Sequence, residues 1–500
     1  MTSTTIATTE AGRVRGVAKE GVATYLGIPY AAAPVGELRF AAPQPVPPWA
    51  GVREAVDPGP TAPQRGANRC AGIDMFPITG AEWRRGDDFL TLNVWAPMEG
   101  TGHPVMVYVH GGGLTLGTKD AAVYDGRNFA RDGAVAVNIN YRLGVEGFLA
   151  IPDAPTNLGL RDMLAALHWV QANIEAFGGD PSNVTVFGES GGGIAVACLL
   201  SSPLSTGLFA RAIVQSGHGS AVYPVAIAHR LTRKIAELLD VPATVAGFRS
   251  APPEAALAAL GRASRPGTVD LRDDTGFVPG FGLTVINPVF GDDVLPLHPL
   301  DALEDGAGQE VDLLIGTTED EFNFTTAPLR AVLAPTWLAR LILRRLTPEA
   351  DELMHAYREQ DRRARGGVVM SRILGDLAFR GPAREYAGAH RGRTFFYEFD
   401  WDSPASGGRL GAAHGTDIAF VFDTLPSVTG KRGILGTNPP QRLATRIHGT
   451  WLEFAADGRI PWGEYDAHHR RVHRLAADTT IDEAPILAST MSSTRATARP

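Results

Sequence analysis

Apolar residues in this chain fall in short runs whose spacing changes from segment to segment. "PVMVYVH" (104–110) is β-rich and ends in three glycines, and "GAVAVNINYRLG" (133–144) is a second such run, closed by a turn. "RDMLAALHWVQANIEAFGGDP" (161–181) instead has apolar positions at helical spacing and stops in Gly-Gly-Asp-Pro, a helix-ending combination. Strand character returns at "NVTVFG" (183–188), "FARAIVQSG" (209–217), "VDLLIG" (311–316) and "TFFYEF" (394–399). Strands separated by helical segments predict an α/β fold with a mostly parallel, helix-flanked central sheet. Ala-, Leu- and Arg-rich stretches predict helical insertions over about 225–265 and 326–390, placed to cap a site. No repeat or linker divides the chain, so 1–500 reads as one domain, with 487–500 a loose tail.

Composition narrows the function classes. Apolar residues make up 44 % of the chain, enough for a sizeable core, and 46 basic against 54 acidic residues give a net charge of −8. Without a Lys/Arg block, a nucleic-acid partner is not expected. Two cysteines, Cys70 and Cys198, supply neither a disulfide framework nor a cysteine-rich metal site. The N-terminal stretch lacks a signal-peptide pattern and no run of about 18 apolar residues occurs, so the expected location is the cytoplasm, without a membrane span.

The chemistry gathers where the 183–188 run ends. There Gly188-Glu189-Ser190-Gly191-Gly192 forms a G-x-S-x-G pattern between strand and helix. A serine on so tight a turn is presented as a nucleophile, flanking glycines let strand and helix approach, and the helix N-terminus points amides toward developing negative charge. "HGGG" (110–113) is a second glycine turn at a strand end, offering backbone N–H groups of the kind acyl transfer needs for an oxyanion, each worth about 3 kcal/mol. The pair is far more specific than either half. An acid and a base should follow the serine. Glu319, Asp320 and Glu321 all follow the "VDLLIG" strand, and His355, His390, His414, His448, His468, His469 and His473 follow them, so residue chemistry alone leaves both choices open.

With these motifs the chain resembles the type-B carboxylesterase/lipase family of α/β-hydrolases. The likeness runs in order through "LGIPYAAAPVGELRF" (26–40), "LTLNVWAP" (90–97), "NYRLGVEGF" (140–148), "NLGLRDMLAALHWVQANIEAFGGDPSNVTVFGESGGG" (157–193), "LFARAIVQSG" (208–217), "PVFGDDVLP" (288–296), "LLIGTTEDEF" (313–322) and "AAHGTDIAFVF" (412–422). The resemblance implies an α/β-hydrolase fold and a serine carboxylesterase. It places the acid at Glu321 and the base at His414, with His448 in "RIHGTW" the runner-up, and the oxyanion amides at Gly112, Gly113 and Gly191. Glu319 and Asp320 are then solvated turn residues. The implied substrate is a carboxylic ester of small or medium acyl chain, and no metal or organic cofactor is called for. The same triad can serve carbamate or amide hydrolysis, whereas a non-catalytic binding role suits relatives that have lost a triad member.

Some positions depart from the family pattern. Gly191 stands where Ala is usual, and Leu114 where an aromatic residue usually follows the glycines. Ala62 and Phe89 occupy the positions of a disulfide found in secreted relatives, which fits a reduced compartment. Trp83 lies outside a cholinesterase-like choline loop and reads as a packing aromatic. Arg39 and Asp87 are expected to form an ion pair, Gly178 to Pro181 to end a helix, and Tyr141 with Arg142 to brace the sheet.

Overall fold

The computed structural model describes residues 3–488 apart from 67–68, 71, 81, 274–275, 277, 279–283 and 331. Thirteen strands form the main sheet: β1 (Ser3–Thr9), β2 (Gly12–Lys19), β3 (Val22–Pro29), β4 (Val52–Glu54), β5 (Thr91–Pro97), β6 (His103–Val109), β7 (Val135–Ile139), β8 (Gly179–Glu189), β9 (Arg211–Gln215), β10 (Asp312–Thr318), β11 (Thr394–Phe399), β12 (Arg471–Arg474) and β13 (Thr479–Asp482). Their order is β1-β2-β3-β5-β7-β6-β8-β9-β10-β11-β12-β13, with β4 beside β2. The seven strands from β7 to β12 pair in parallel. The wings, β1-β2-β3-β5-β7 and β12-β13, are antiparallel. The expected α/β class and the parallel core are therefore present. Apart from β7, which lies in the expected 133–144 run, the wing strands drew no strand expectation.

The central strands are near-continuous apolar runs because both of their faces are covered. Val105, Val107 and Val109 of β6, Val184 and Val186 of β8, Ala212 and Val214 of β9 and Leu313 and Ile315 of β10 pack into one core. The intervening Met106, Tyr108, Phe187, Ile213 and Leu314 pack into the other. This two-residue alternation sets the register, since a slip of one residue would exchange the faces.

Helices follow the predicted order. α1 (Leu158–Asn173) runs on through a 3-10 turn that ends at Gly178, whose φ of +81° provides the left-handed stop. α2 (Gly191–Leu200) starts at the serine turn and is buried throughout. The first insertion holds α3 (Val225–Leu239), α4 (Val245–Ser250) and α5 (Pro253–Ala263). The second holds α6 (Thr336–Leu343), α7 (Ala350–Gln360), α8 (Gly366–Gly375) and α9 (Gly381–Ala389), with a π-helical turn at Asp376–Arg380 joining α8 to α9. α6 to α8 share a separate small core that includes Leu343, Leu353, Met354, Val369 and Ile373. α10 (Gln441–Asp457) packs on the second face of the sheet. Residues 489–500 of the expected tail lie outside the described residues.

Candidate active site

Ser190 leaves β8 with φ +56° and ψ −122°, a conformation that costs a non-glycine residue about 1–3 kcal/mol. The surroundings impose it: Ser190 N–H donates to Gln215 O of β9 at 2.9 Å, and Ser190 O accepts from Ile194 N–H of α2 at 2.9 Å. Only glycine fits on either side. A Cβ at Gly188 would lie 2.6 Å from Gly192 O, and one at Gly192 would lie 2.1 Å from Val109 O. The turn thus holds the hydroxyl at the C-terminal edge of the sheet, where open α/β sheets place ligands.

Two other segments converge on that hydroxyl. His414 Nε2 lies 2.8 Å from Ser190 Oγ, and its Nδ1 lies 2.6 Å from Glu321 Oε2. Glu321 is buried, and its other oxygen accepts from Ser216 Oγ at 2.7 Å and from Thr318 N–H at 2.8 Å. Those bonds lock the carboxylate, so Nδ1 carries the proton and Nε2 is free to accept one from the serine. The neighbouring acids turn elsewhere. Glu319 is exposed and pairs with Arg474 at 2.7 Å. Asp320 is half-buried and faces a cavity of about 340 Å³, together with Arg330, Arg372, Asp402 and Arg409, rather than standing in open solvent as expected. His448 is buried in α10, with Nδ1 on Val421 O at 2.7 Å and its ring stacked on Phe129, so it does not enter the site.

Further buried carboxylates surround the imidazole. Glu189 Oε1 lies 3.3 Å from His414 Nε2. Burial, opposed by His414 and aided by Asp417 and Glu321, pushes Glu189 up to about 8. Asp417, which accepts from Gln215 Nε2 at 2.9 Å, is raised to about 6, again first by burial. Burial works against protonation of His414, but Glu189 and Glu321 outweigh it and push the pKa up to about 9. Glu189 is the largest contribution to that elevation, ahead of Glu321.

The glycine loop lies against the serine turn. Ideal Cβ geometry at Gly191 falls 3.0 Å from Gly113 N and 2.9 Å from Leu114 N, so the loop amides abut the first turn of α2. The amides of Gly112 and Gly113 donate to no group among the described residues. The loop is pinned at both ends. Tyr141 stacks on His110 and donates to its carbonyl at 2.7 Å, while Gln64 bonds both the N–H and the C=O of Gly117. Leu114 is fully buried at φ +59°.

Other expectations divide. Arg142 braces the fold as expected, with a bidentate, fully buried pair to Asp162 and a bond to Ala41 O. Trp83 packs beneath the Arg85 guanidinium. The Arg39–Asp87 pair does not form: Arg39 grips Glu146 at 2.6 Å and the carbonyls of Arg249 and Ala251, while Asp87 is exposed. The helix that follows "NYRLG" carries Glu146 directly beneath the guanidinium, a contact that sequence spacing does not reveal. Sequence reasoning also passed over Ser216, Gln215, Asp417 and Phe379, whose ring centroid lies 4.8 Å from that of His414. The only local signal was the position of Gln215-Ser216 at a strand end.

Comparison with known proteins gives the family. The model of the carboxylesterase family matches residues 3–485. The chain belongs to the carboxylesterase family. Similar carboxylesterases include the para-nitrobenzyl esterase of Bacillus subtilis, 34 % identical and covering 96 % of both chains. The phenmedipham hydrolase of Pseudarthrobacter oxydans is also 34 % identical, covering 91 % of this chain and 90 % of its own. Among solved structures, a Geobacillus stearothermophilus carboxylesterase superimposes with a TM-score of 0.81 at 34 % identity, covering 96 % of this chain and 98 % of the other. The protein is a hydrolase of carboxylic esters. Among the described residues no helix is long and apolar enough to cross a membrane.

Proposed function

We propose that this carboxylesterase works through Ser190 as nucleophile, His414 as general base and acid, and Glu321 as the carboxylate that orients the imidazole. The unbroken path from Ser190 Oγ to His414 Nε2 at 2.8 Å, and from His414 Nδ1 to Glu321 at 2.6 Å, carries the reading. Nε2 takes the hydroxyl proton as Oγ attacks the ester carbonyl, and the buried carboxylate offsets the charge that develops on the ring. The oxyanion is received by the amides of Gly112, Gly113 and Gly191, of which the first two donate to no group among the described residues and the third opens α2. The imidazolium returns its proton to the departing alcohol. Water, deprotonated by the same nitrogen, then attacks the acyl-enzyme and regenerates Ser190.

The proposed substrates are esters of small to medium acyl chains, and the proposed location is the cytoplasm, supported by two unpaired cysteines and by Ala62 and Phe89 at the cystine positions. Labelling with a fluorophosphonate, followed by peptide mass mapping, tests the nucleophile. The adduct is expected on Ser190, and an adduct on any other residue with full loss of activity contradicts the assignment. p-Nitrophenyl esters of increasing chain length test the acyl range, with kcat/KM expected to peak below long-chain acids.

A further inference from the structure

His218 lies in the turn Gly217-His218-Gly219 just beyond β9 and is buried. The acyl-transfer scheme employs its neighbours Gln215 and Ser216 but leaves the imidazole without a task. Its two nitrogens are both engaged. Ser220 N–H donates to Nδ1 at 3.2 Å, which places the ring proton on Nε2, and Nε2–H donates to Ala378 O at 2.9 Å. Burial holds the group down at about 4, so this neutral tautomer persists through the neutral range.

The acceptor belongs to the π-helical turn Asp376–Arg380. Such turns are uncommon and recur at functional sites, because the extra residue re-aims the side chains around it. Here the side chain next to the bonded carbonyl is Phe379, buried, tilted 45° to the His414 ring at 4.8 Å and in contact with Phe322. Gly375, just before the turn, faces the Cβ of Glu321, 3.7 Å from its own ideal Cβ position. The turn therefore packs against the base, and the residue that leads into it faces the acid. Its ends are held independently. Asp376 accepts from Tyr357 Oη at 2.5 Å and from Arg380 Nη1 at 2.7 Å, and Tyr386 of α9 donates to Ala197 O of α2 at 2.7 Å. Between these anchors two side chains bond the backbone beside Phe379, among the described residues: His218 on Ala378 O, before the ring, and Arg384 on Arg380 O at 3.2 Å, after it.

We propose that His218 is a positioning residue for acyl transfer: its bond to Ala378 O sets the π-turn so that Phe379 covers one face of His414 and keeps Nε2 on Ser190 Oγ. The proposal rests on reading His414 as the general base. Without the tether the π-turn relaxes, Phe379 withdraws, and the imidazole gains rotational freedom that takes it off the serine. Substrate contacts stay in place, so the loss falls on kcat rather than on KM.

A mutant cycle on the full chain tests this, with His218→Ala, His218→Gln, Phe379→Leu and the His218→Ala/Phe379→Leu double variant assayed on a p-nitrophenyl ester. His218→Ala is expected to lower kcat and the fluorophosphonate labelling rate each by about tenfold with KM within about twofold. His218→Gln, whose amide can donate to Ala378 O, is expected to recover to within about threefold of the parent. In the Phe379→Leu background, His218→Ala is expected to add less than about twofold, since its route to His414 is already gone. If His218→Ala does not fold, His218→Asn takes its place in the cycle. Full additivity with Phe379→Leu, equal losses in the Ala and Gln variants, or losses that appear in KM alone would overturn the proposal. Retained turnover in Ser190→Ala would instead overturn the catalytic reading beneath it, so the two failures are distinct.

Discussion

Glu189 Oε1 and His414 Nε2 stand 3.3 Å apart, on the same ring nitrogen that faces Ser190 Oγ at 2.8 Å. A buried carboxyl so placed modulates the base according to its own charge. Burial pushes the pKa of Glu189 up, and its negative charge favours the imidazolium and withholds the base. Replacing it with glutamine removes that charge. Glu189→Gln should therefore move the rising limb of the pH–kcat/KM profile to lower pH, by about one unit. A profile measured between pH 5 and 10 that keeps its midpoint, or moves upward, would show that Glu189 does not act on His414 electrostatically.

The acid is chosen by side-chain direction. Glu321 points to His414 Nδ1, and Asp320 points to the cavity beside Arg330. Glu321→Gln should reduce kcat by about a thousandfold or more, because the imidazole loses both its orientation and its counter-charge. Asp320→Asn should stay within about threefold of the parent. Steady-state kinetics with one aryl ester decides, and the reverse ranking would reassign the acid.

Gly191 leaves no room for a larger residue. An alanine Cβ there would meet Leu114 N at 2.9 Å and Gly113 N at 3.0 Å, so the glycine loop must move outward. Gly191→Ala should lower kcat by about tenfold, with a smaller change in KM, because the displaced amides serve the oxyanion more than the bound ester. Equal kcat in the two proteins would mean that the loop yields without cost.

Stability should depend sharply on Asp162. Its carboxylate is the bidentate partner of Arg142, whose side chain is 1 % exposed. Asp162→Ala strands a buried guanidinium and should destabilise the fold by about 3–5 kcal/mol. Denaturant unfolding measures the difference, and a loss below 1 kcal/mol would indicate that Arg142 finds another acceptor.

The parts of this site that could be read from the chain are those encoded within a few residues. The serine turn and the glycine loop announce themselves because tight turns at strand ends need glycine at fixed offsets, and the central strands because burial on both faces removes polar residues. The acid among Glu319, Asp320 and Glu321 could not be chosen by chemistry, since all three share one strand end and only the backbone path decides which turns inward. The resemblance to a family supplied that choice. What escaped was contact between distant segments: Glu146 under Arg39, Ser216 beneath Glu321, Gln64 on Gly117, His218 on the π-turn. None of these pairs carries a local pattern. The antiparallel wings, β7 apart, escaped for another reason, because their polar alternation competes with that of ordinary loops.

The account turns on a covalent acyl intermediate at residue 190, and pre-steady-state hydrolysis of a p-nitrophenyl ester measures it most directly. A burst of p-nitrophenol equal to the enzyme concentration is predicted where deacylation limits turnover, with the acyl mass found on the Ser190 peptide after an acid quench, and both lost in Ser190→Ala. Hydrolysis at the parent rate by Ser190→Ala would contradict the account.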